Sequence, residues 1–311
     1  MRTVRNVHSR TVQAPASAVG ALLDRLGGDP DPLFPTPAWH PMRFDRPLGV
    51  GAVGDHGLGP YRVAVHEPGR RIRFDFLPGP HGDLTGHHEF TVRPLGPDRC
   101  RVEHVLECRH GLARRLVWHL AIRAGHDTVV EELLDNIERA ATGRLGAPVR
   151  RSPRARLLNR LLWDRPTAVA LPEGARLARG AFPRTDFQDA WQLPLRPGMP
   201  VEPEAWQGVL RGAPFPVVGR QGGEILLGKD AGHLDFRASV LVADGQVTLG
   251  TVVRTHHRGG RLYLALVRRV HPFMARTMLR RTHRRLALAA PGAGERWAAR
   301  SPEGSDPRGA Q

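Results

Sequence analysis

Three histidines fall where an imidazole can do chemistry. His104 sits on an alternating stretch, Arg99–Cys108, in which Val102, His104, Leu106 and Cys108 share one face and Arg101, Glu103, Val105 and Glu107 the other. Strand period two makes the apolar set the inward one. On the preceding strand the inward set is then His88, Phe90 and Val92. A register pairing Phe90 with Val102 places His88 opposite His104, and a one-residue slip would undo it. His126, on a long helix, shares a face with Ile122, Val129, Val130 and Leu133. Imidazoles facing one interior suit two tasks: orienting a ligand's polar end, or acid–base transfer near neutral pH. A metal site needs three ligands converging at ~2.0–2.1 Å. No spacing between these strands and the helix fixes that, so no metal is assigned. The adjacent pairs His87-His88 and His256-His257 read as strand residues pointing to opposite faces, so neither pair chelates one ion.

Other motifs are negative or structural. No G-x-S-x-G, G-x-x-x-x-G-K-[ST] or H-E-x-x-H occurs. Gly49-Val-Gly51-Ala-Val-Gly54 satisfies G-x-G-x-x-G, but a dinucleotide site needs a helix directly after the glycines. Asp55-His-Gly-Leu-Gly-Pro-Tyr61 follows instead, and its helix breakers make this a glycine-rich strand entry. No nucleotide and no other cofactor is expected. Asp235 and Arg237 stand two apart on one strand face and read as a pair.

The elements that would position these residues can be read in order. Residues 3–13 alternate as a strand, and Pro15 opens a helix carrying Val19, Leu22, Leu23 and Leu26 that stops at Gly27-Gly28. Residues 48–110 form hairpins about the turns Glu67-Pro-Gly-Arg70 and Leu95-Gly-Pro-Asp98, with strands on Tyr61–Val65, Ile72–Phe76, Leu84–Arg93 and Arg99–Cys108. Leu112 to about Ala141 is one long helix stopped by Gly143. Residues 143–166 are a basic linker with a short amphipathic helix. A second, abbreviated copy of the pattern occupies 167–290. It has an opening strand at Asp189–Leu195, a short helix at Pro203–Gly212, and strands near 224–229, 234–243, 246–257 and 260–268. A closing basic helix runs from His271 to Ala290. The tail, 291–311, is poor in apolar residues and is expected to be disordered. The fold class is therefore α+β: two tandem domains, each a curved antiparallel sheet packed on a long C-terminal helix.

Composition narrows the setting. The net charge is +16, and of 46 basic residues only Lys229 is lysine. That field favours polyanions or anionic membrane surfaces. Aromatic residues are 6% and do not interleave with the basic ones, so nucleic acid is not expected. Cys100 and Cys108, if on one strand, stand about 26 Å apart, too far to bridge, and read as free thiols. No apolar run reaches the ~18–20 residues that span a bilayer, and the N-terminus has no secretory h-region, so a cytoplasmic location is expected.

Two resemblances add to this. The order of first strand, Pro-initiated helix, Leu48-Gly-Val-Gly-Ala-Val-Gly54, the Glu67-Pro-Gly-Arg70 turn and a long last helix resembles the START-like, polyketide-cyclase superfamily of helix-grip proteins. That resemblance implies a sheet wrapped round the last helix, an apolar cavity between them, and hydrophobic small molecules as ligands. It carries no universal catalytic residue. Residues 167–288 resemble domain-of-unknown-function family 2867 through Leu171-Pro-Glu-Gly, Asp186-Phe-Gln-Asp-Ala-Trp191, His233-Leu-Asp-Phe-Arg237, Thr251-Val-Val-Arg254, and Gly260-Arg-Leu-Tyr263 leading to His271-Pro-Phe273. The leading expectation is a binder of an apolar small molecule in the first domain, lined by Tyr61, Val63, Phe74, Phe76, His88, Phe90, His104, Trp118, Ile122 and His126. One alternative is a cyclase- or dehydratase-type enzyme using these histidines as acid or base. Another is a peripheral lipid-handling protein that docks through its basic amphipathic segments.

Overall fold

The computed structural model describes residues 2–55, 59–78, 85–110, 118–210 and 215–300. They divide into two compact units: residues 1–161 with 291–311, and residues 162–290. Each unit is α+β, an antiparallel sheet with a long C-terminal helix against it. No helix among the described residues is long and apolar enough to cross a membrane.

Unit 1 comprises β1 (Arg2–Val12), α1 (Ala16–Leu23), β2 (Arg43–Phe44), β3 (Val53–Asp55), β4 (Tyr61–Glu67), β5 (Arg71–Phe76), β6 (Thr85–Gly96) and β7 (Arg99–His110). A π-helical turn, Trp118–Ile122, then leads into α2 (Arg123–Thr142). The sheet order is β1-β7-β6-β5-β4-β3-β2. Alternation behaves as read: Cys100, Val102, His104, Leu106 and Cys108 are all buried on one face of β7. The register differs by two residues from the expected one. Phe90 pairs with His104, and His88 with Leu106. A two-residue shift leaves every side chain on its face, so the inward set survives and His88 lies diagonal to His104. The glycine-rich stretch enters β3 and not a helix.

The Glu67-Pro-Gly-Arg70 turn has a packing role. Gly69 takes φ +72°, and its carbonyl lies 2.2 Å from where a Cβ on Gly20 of α1 would stand. Asp24, just after α1, accepts hydrogen bonds from the Gly69 amide (2.8 Å) and His66 Nε2 (3.1 Å). The two glycines therefore set how closely the turn and α1 approach.

The stretches read as linker and tail each contain a helix, and the short linker helix is the one expected. Linker residues form α3 (Pro153–Leu161), which belongs to unit 1: Asn159 donates to the Ala38 carbonyl at 2.8 Å. The start of the tail is ordered as α6 (Ala293–Ala298), tied to α2 by Arg139–Glu295 at 3.2 Å. Leu84, the helix start at Leu112–Val117, the end of the helix expected through Gly212, and residues 301–311 lie outside the described residues.

Unit 2 comprises β8 (Thr167–Ala168), α4 (Arg176–Arg179), β9 (Phe187–Pro194), a 3-10 helix (Pro203–Leu210), β10 (Val217–Gln221), β11 (Glu224–Asp230), β12 (Leu234–Ala243), β13 (Gln246–Thr255) and α5 (Arg258–Ala289). Sheet order is β10-β11-β12-β13-β9-β8. The strand expected at 260–268 does not exist: those residues are the first turns of α5, one helix of 32 residues with Pro272 inside it. Arg261-Leu-Tyr-Leu-Ala-Leu-Val267 alternates like a strand, and Gly259-Gly260 imitates a hairpin turn. Instead His257 caps the helix, its Nδ1 accepting from the amides of Gly259 (3.1 Å) and Gly260 (3.4 Å). His256 and His257 are thus a post-strand pair, not strand residues. Gly260 is required sterically, because a Cβ there would stand 2.0 Å from the His233 carbonyl oxygen. Asp235 and Arg237 also do not pair with each other. Asp235 binds Arg254 (2.5 Å) and His256 (2.9 Å), while Arg237 binds Asp230 (2.6 Å).

The C-terminal half of α5 is anchored in a core of Trp163, Leu193, Trp206, Leu249, Ala275 and Leu279. His283 is fully buried there as a neutral imidazole. Its Nε2–H donates to the Pro194 carbonyl (2.9 Å) and its Nδ1 accepts from the Trp163 indole N–H (3.1 Å). A second ring proton would face that indole donor. Burial, with the nearby Arg196 charge, lowers its pKa to about 4. The unfolded chain takes up a proton near pH 6.5 while the native one does not until about pH 4, so stability rises with pH across this window. At ~1.4 kcal/mol per unit, acidification from pH 7 to 4 is expected to cost roughly 3 kcal/mol. Urea unfolding over that range checks it against His283→Gln, whose slope should be flatter; equal slopes contradict the assignment.

Candidate functional site

The ten residues expected to line a site in unit 1 come together on one interior. Tyr61, Val63, Phe74, His88, Phe90, His104 and Trp118 are buried, and Phe76, Ile122 and His126 are half-buried. Their rings form a continuous series. His88 stacks on Phe74 (4.6 Å between centroids) and Phe76 (5.6 Å) and meets Tyr61 edge-on (5.3 Å). His88 lies 5.7 Å from His104, which contacts Phe90 at 4.5 Å and His126 at 5.3 Å. Trp118 closes the series 5.4 Å from His126. Desolvation, with the charges of Asp55 and Asp31, raises the Tyr61 pKa, so its hydroxyl stays protonated.

Beside this interior lies a polar cluster that the sequence reading passed over. Asn6, His8 and Arg10 on alternate positions of β1 face Asp127, Glu131, Asp135 and Glu138 on α2. Asn6 Nδ2 donates to Asp127 Oδ1 at 2.9 Å. His8 bonds Glu131 Oε1 through Nδ1 (2.7 Å) and Asp127 Oδ1 through Nε2 (3.2 Å). Arg10 binds Glu131 (2.9 Å), Asp135 (2.5 Å) and Glu138 (3.2 Å). Burial opposes a charge on His8, but the bonds to Asp127 and Glu131 outweigh it and raise its pKa. Burial would raise Asp127, yet the nearby His126 ring and hydrogen bonds from His8 and Asn6 hold it well below the usual carboxylate range. Burial lowers His126. The available signal was a period-two polar run on a strand matched by acidic residues four, four and three apart on a helix.

Unit 2 contains a cavity of about 440 Å³ between its sheet and α5. Strand alternation supplies one wall: Phe187 from β9, Leu234 and Phe236 from β12, and Leu249, Thr251 and Val253 from β13. Helical spacing supplies the other: Leu264, Val267, His271, Met274 and Met278. The lining is apolar except at a few points, of which the best built is His271. Its Nε2 lies 3.2 Å from Asp189 Oδ1 and 3.1 Å from Thr251 Oγ1. Asp189 and Thr251 are register partners on β9 and β13, so the sheet presents both to one imidazole. Phe187 meets the same ring edge-on at 5.5 Å. The sequence marks His271 as the start of the closing helix and as part of the family 2867 resemblance but gives it no site role, because the alternation of 260–268 breaks its helix in two.

Each unit thus sets a long C-terminal helix against an antiparallel sheet. Residues 202–278 match the family described as Protein of unknown function (DUF2867), a span from the 3-10 helix to the middle of α5. No curated protein matches the chain. Among solved structures, it is similar to norcoclaurine synthase from Thalictrum flavum in complex with dopamine and hydroxybenzaldehyde, at 16% identity over 47% of this chain and 90% of that one, with TM-score 0.36. A protein from Thermobifida fusca gives 19% identity over 45% and 95%, with TM-score 0.33. Ara h 8.0201 gives 10% identity over 46% and 100%, with TM-score 0.36.

The His271 contacts tie α5 to the sheet at the cavity. Thr251→Val keeps the shape and removes one of the two partners, and a loss of about 1–2 kcal/mol in unfolding free energy is expected by denaturant titration. An unchanged midpoint would mean the bond does not hold the helix.

Proposed function

We propose that this protein binds an apolar small molecule between the sheet and α5 of unit 2. The observation that carries the reading is the cavity of about 440 Å³ with apolar walls and a fixed His271–Asp189–Thr251 point. Small-molecule sites are concave, ~300–1,000 Å³, and mostly apolar, with a few placed polar groups that orient the ligand. The fitting ligand has an apolar body and one hydrogen-bonding end. Binding of an anilinonaphthalene sulfonate probe tests this. Ala231 lines the cavity and is half-buried, so Ala231→Trp fills space without entering the core. The variant should bind the probe roughly tenfold more weakly, ~1.4 kcal/mol. Equal binding by both proteins rejects the site. Native mass spectrometry of the purified protein should in addition reveal a co-purifying apolar mass.

One feature of the same helix favours a lipid-handling form of this reading. Leu262, Leu266, Val270 and Phe273 recur at i, i+4, i+8 and i+11 of α5, and they are 76%, 66%, 54% and 74% exposed. Arg258, Arg261, Arg269 and Arg276 are exposed on the same helix. An apolar stripe beside basic residues lies in a lipid interface, with ~1 kcal/mol for each basic residue near an anionic surface. Tyr263 and Met274 are exposed and also line the cavity, which joins stripe to cavity. The protein is expected to co-float with phosphatidylglycerol vesicles and not with phosphatidylcholine vesicles, and Leu266→Glu/Phe273→Glu should abolish this. Failure of the unmodified protein to float rejects this form and leaves the cavity reading standing.

A further inference from the structure

We propose that His8, His126 and Asp127 of unit 1 bind a divalent transition metal of the Zn²⁺ class. This site is independent of the cavity in unit 2. Three ligand atoms, one from each residue, all lie within 4.8 Å of one another. His8 Nε2 stands 3.2 Å from Asp127 Oδ1, and His126 Nδ1 stands 3.8 Å from the same oxygen. Ligands at ~2.0–2.1 Å from a tetrahedral Zn²⁺ are about 3.3–3.4 Å apart. The two separations bracket that spacing, so a metal fits among these atoms with small side-chain adjustments. His126 Nδ1 is sealed from solvent and has no hydrogen-bond partner within reach, which a metal bond would supply.

The surroundings are those of a built site. A metal-bound imidazole donates its other N–H to a carboxylate or carbonyl, which fixes its tautomer. His8 has that partner: Nδ1 faces Glu131 Oε1 at 2.7 Å, and Glu131 is itself held by Arg10 at 2.9 Å. Asp127 is oriented by Asn6 (2.9 Å to Oδ1) and by Arg123 (3.3 Å to Oδ2). Two imidazole nitrogens and one carboxylate oxygen suit Zn²⁺ better than Ca²⁺ or Mg²⁺, which take oxygen ligands. The Asp127 side chain is one-third exposed, so a fourth position can be filled by water or an added ligand. The structure therefore assigns His8, His126 and Asp127 as ligands and Glu131 as a positioning residue.

The test uses tag-free full-length protein stripped with chelator and titrated with Zn²⁺, and with Co²⁺ for its visible absorption. With 16 histidines in the chain, total uptake is not diagnostic, so the comparison with variants is. The protein should take up one equivalent more than His8→Ala, and Co²⁺ should give a tetrahedral visible spectrum that His8→Ala lacks. Asp127→Asn is close in shape and should lose the same equivalent with its circular dichroism unchanged, which separates ligand loss from unfolding. Glu131→Gln should keep the stoichiometry and bind 10–100-fold more weakly. Equal uptake by the unmodified protein, His8→Ala and Asp127→Asn overturns the site. In that case the occupant of His8 Nε2 is a proton shared with Asp127. An unchanged affinity in Glu131→Gln overturns its positioning role.

Discussion

The second unit depends on one long helix being held against one sheet at two separated places. At its start, Gly260 lies so close to the His233 carbonyl that no side chain fits between them. Toward its end, Ala275, Leu279 and His283 are sunk in a core with Trp163, Trp206 and Leu249. Between these points the helix can neither move in nor swing away. Its middle residues, Val267, His271 and Met274, span the gap without filling it. The cavity follows from the two anchors, and so does its single best-built polar point, because His271 is where the helix reaches Asp189 and Thr251 on adjacent strands. Pro272 follows directly in the helix interior, where it removes one backbone hydrogen bond from the segment facing the cavity.

The first unit uses the same elements toward a different interior. Its inward strand positions carry rings that contact one another from Tyr61 to Trp118. Its polar chemistry is displaced to the side, where β1 and α2 meet. Asn6, His8 and Arg10 engage a column of four carboxylates there. Such a column would be repulsive alone, and the facing strand neutralises it. Two similar scaffolds thus carry two distinct features: an apolar cavity under a helix and a polar cluster along a helix edge.

Much of this was legible in the chain. Period-two alternation gave the buried faces of β4 to β7, and the inward positions of His88 and His104 hold despite a register two residues away, since such a shift preserves faces. The turn at Glu67–Arg70 and the stop at Gly143 were readable because positive-φ glycines leave a mark. Residues 260–268 were misread because Arg261–Val267 satisfies the strand period locally, and only the approach of Gly260 to His233 decides for helix. The Asp235–Arg237 pairing failed because partners across the ladder, Arg254 and Asp230, outcompeted the neighbour on the same strand. The His8 cluster was missed because its members are over a hundred residues apart, and no spacing rule links β1 to α2 until they pack.

Ligand binding in unit 2 requires a gap between α5 and the sheet that is apolar, enclosed enough to retain a guest, and accessible. Diffraction from crystals held under xenon pressure tests it most directly, because xenon enters apolar cavities large enough to admit it. Xenon density is expected between Leu249 on the sheet and Val267 on the helix. Side chains packed through that space with no xenon in it would rule out the cavity.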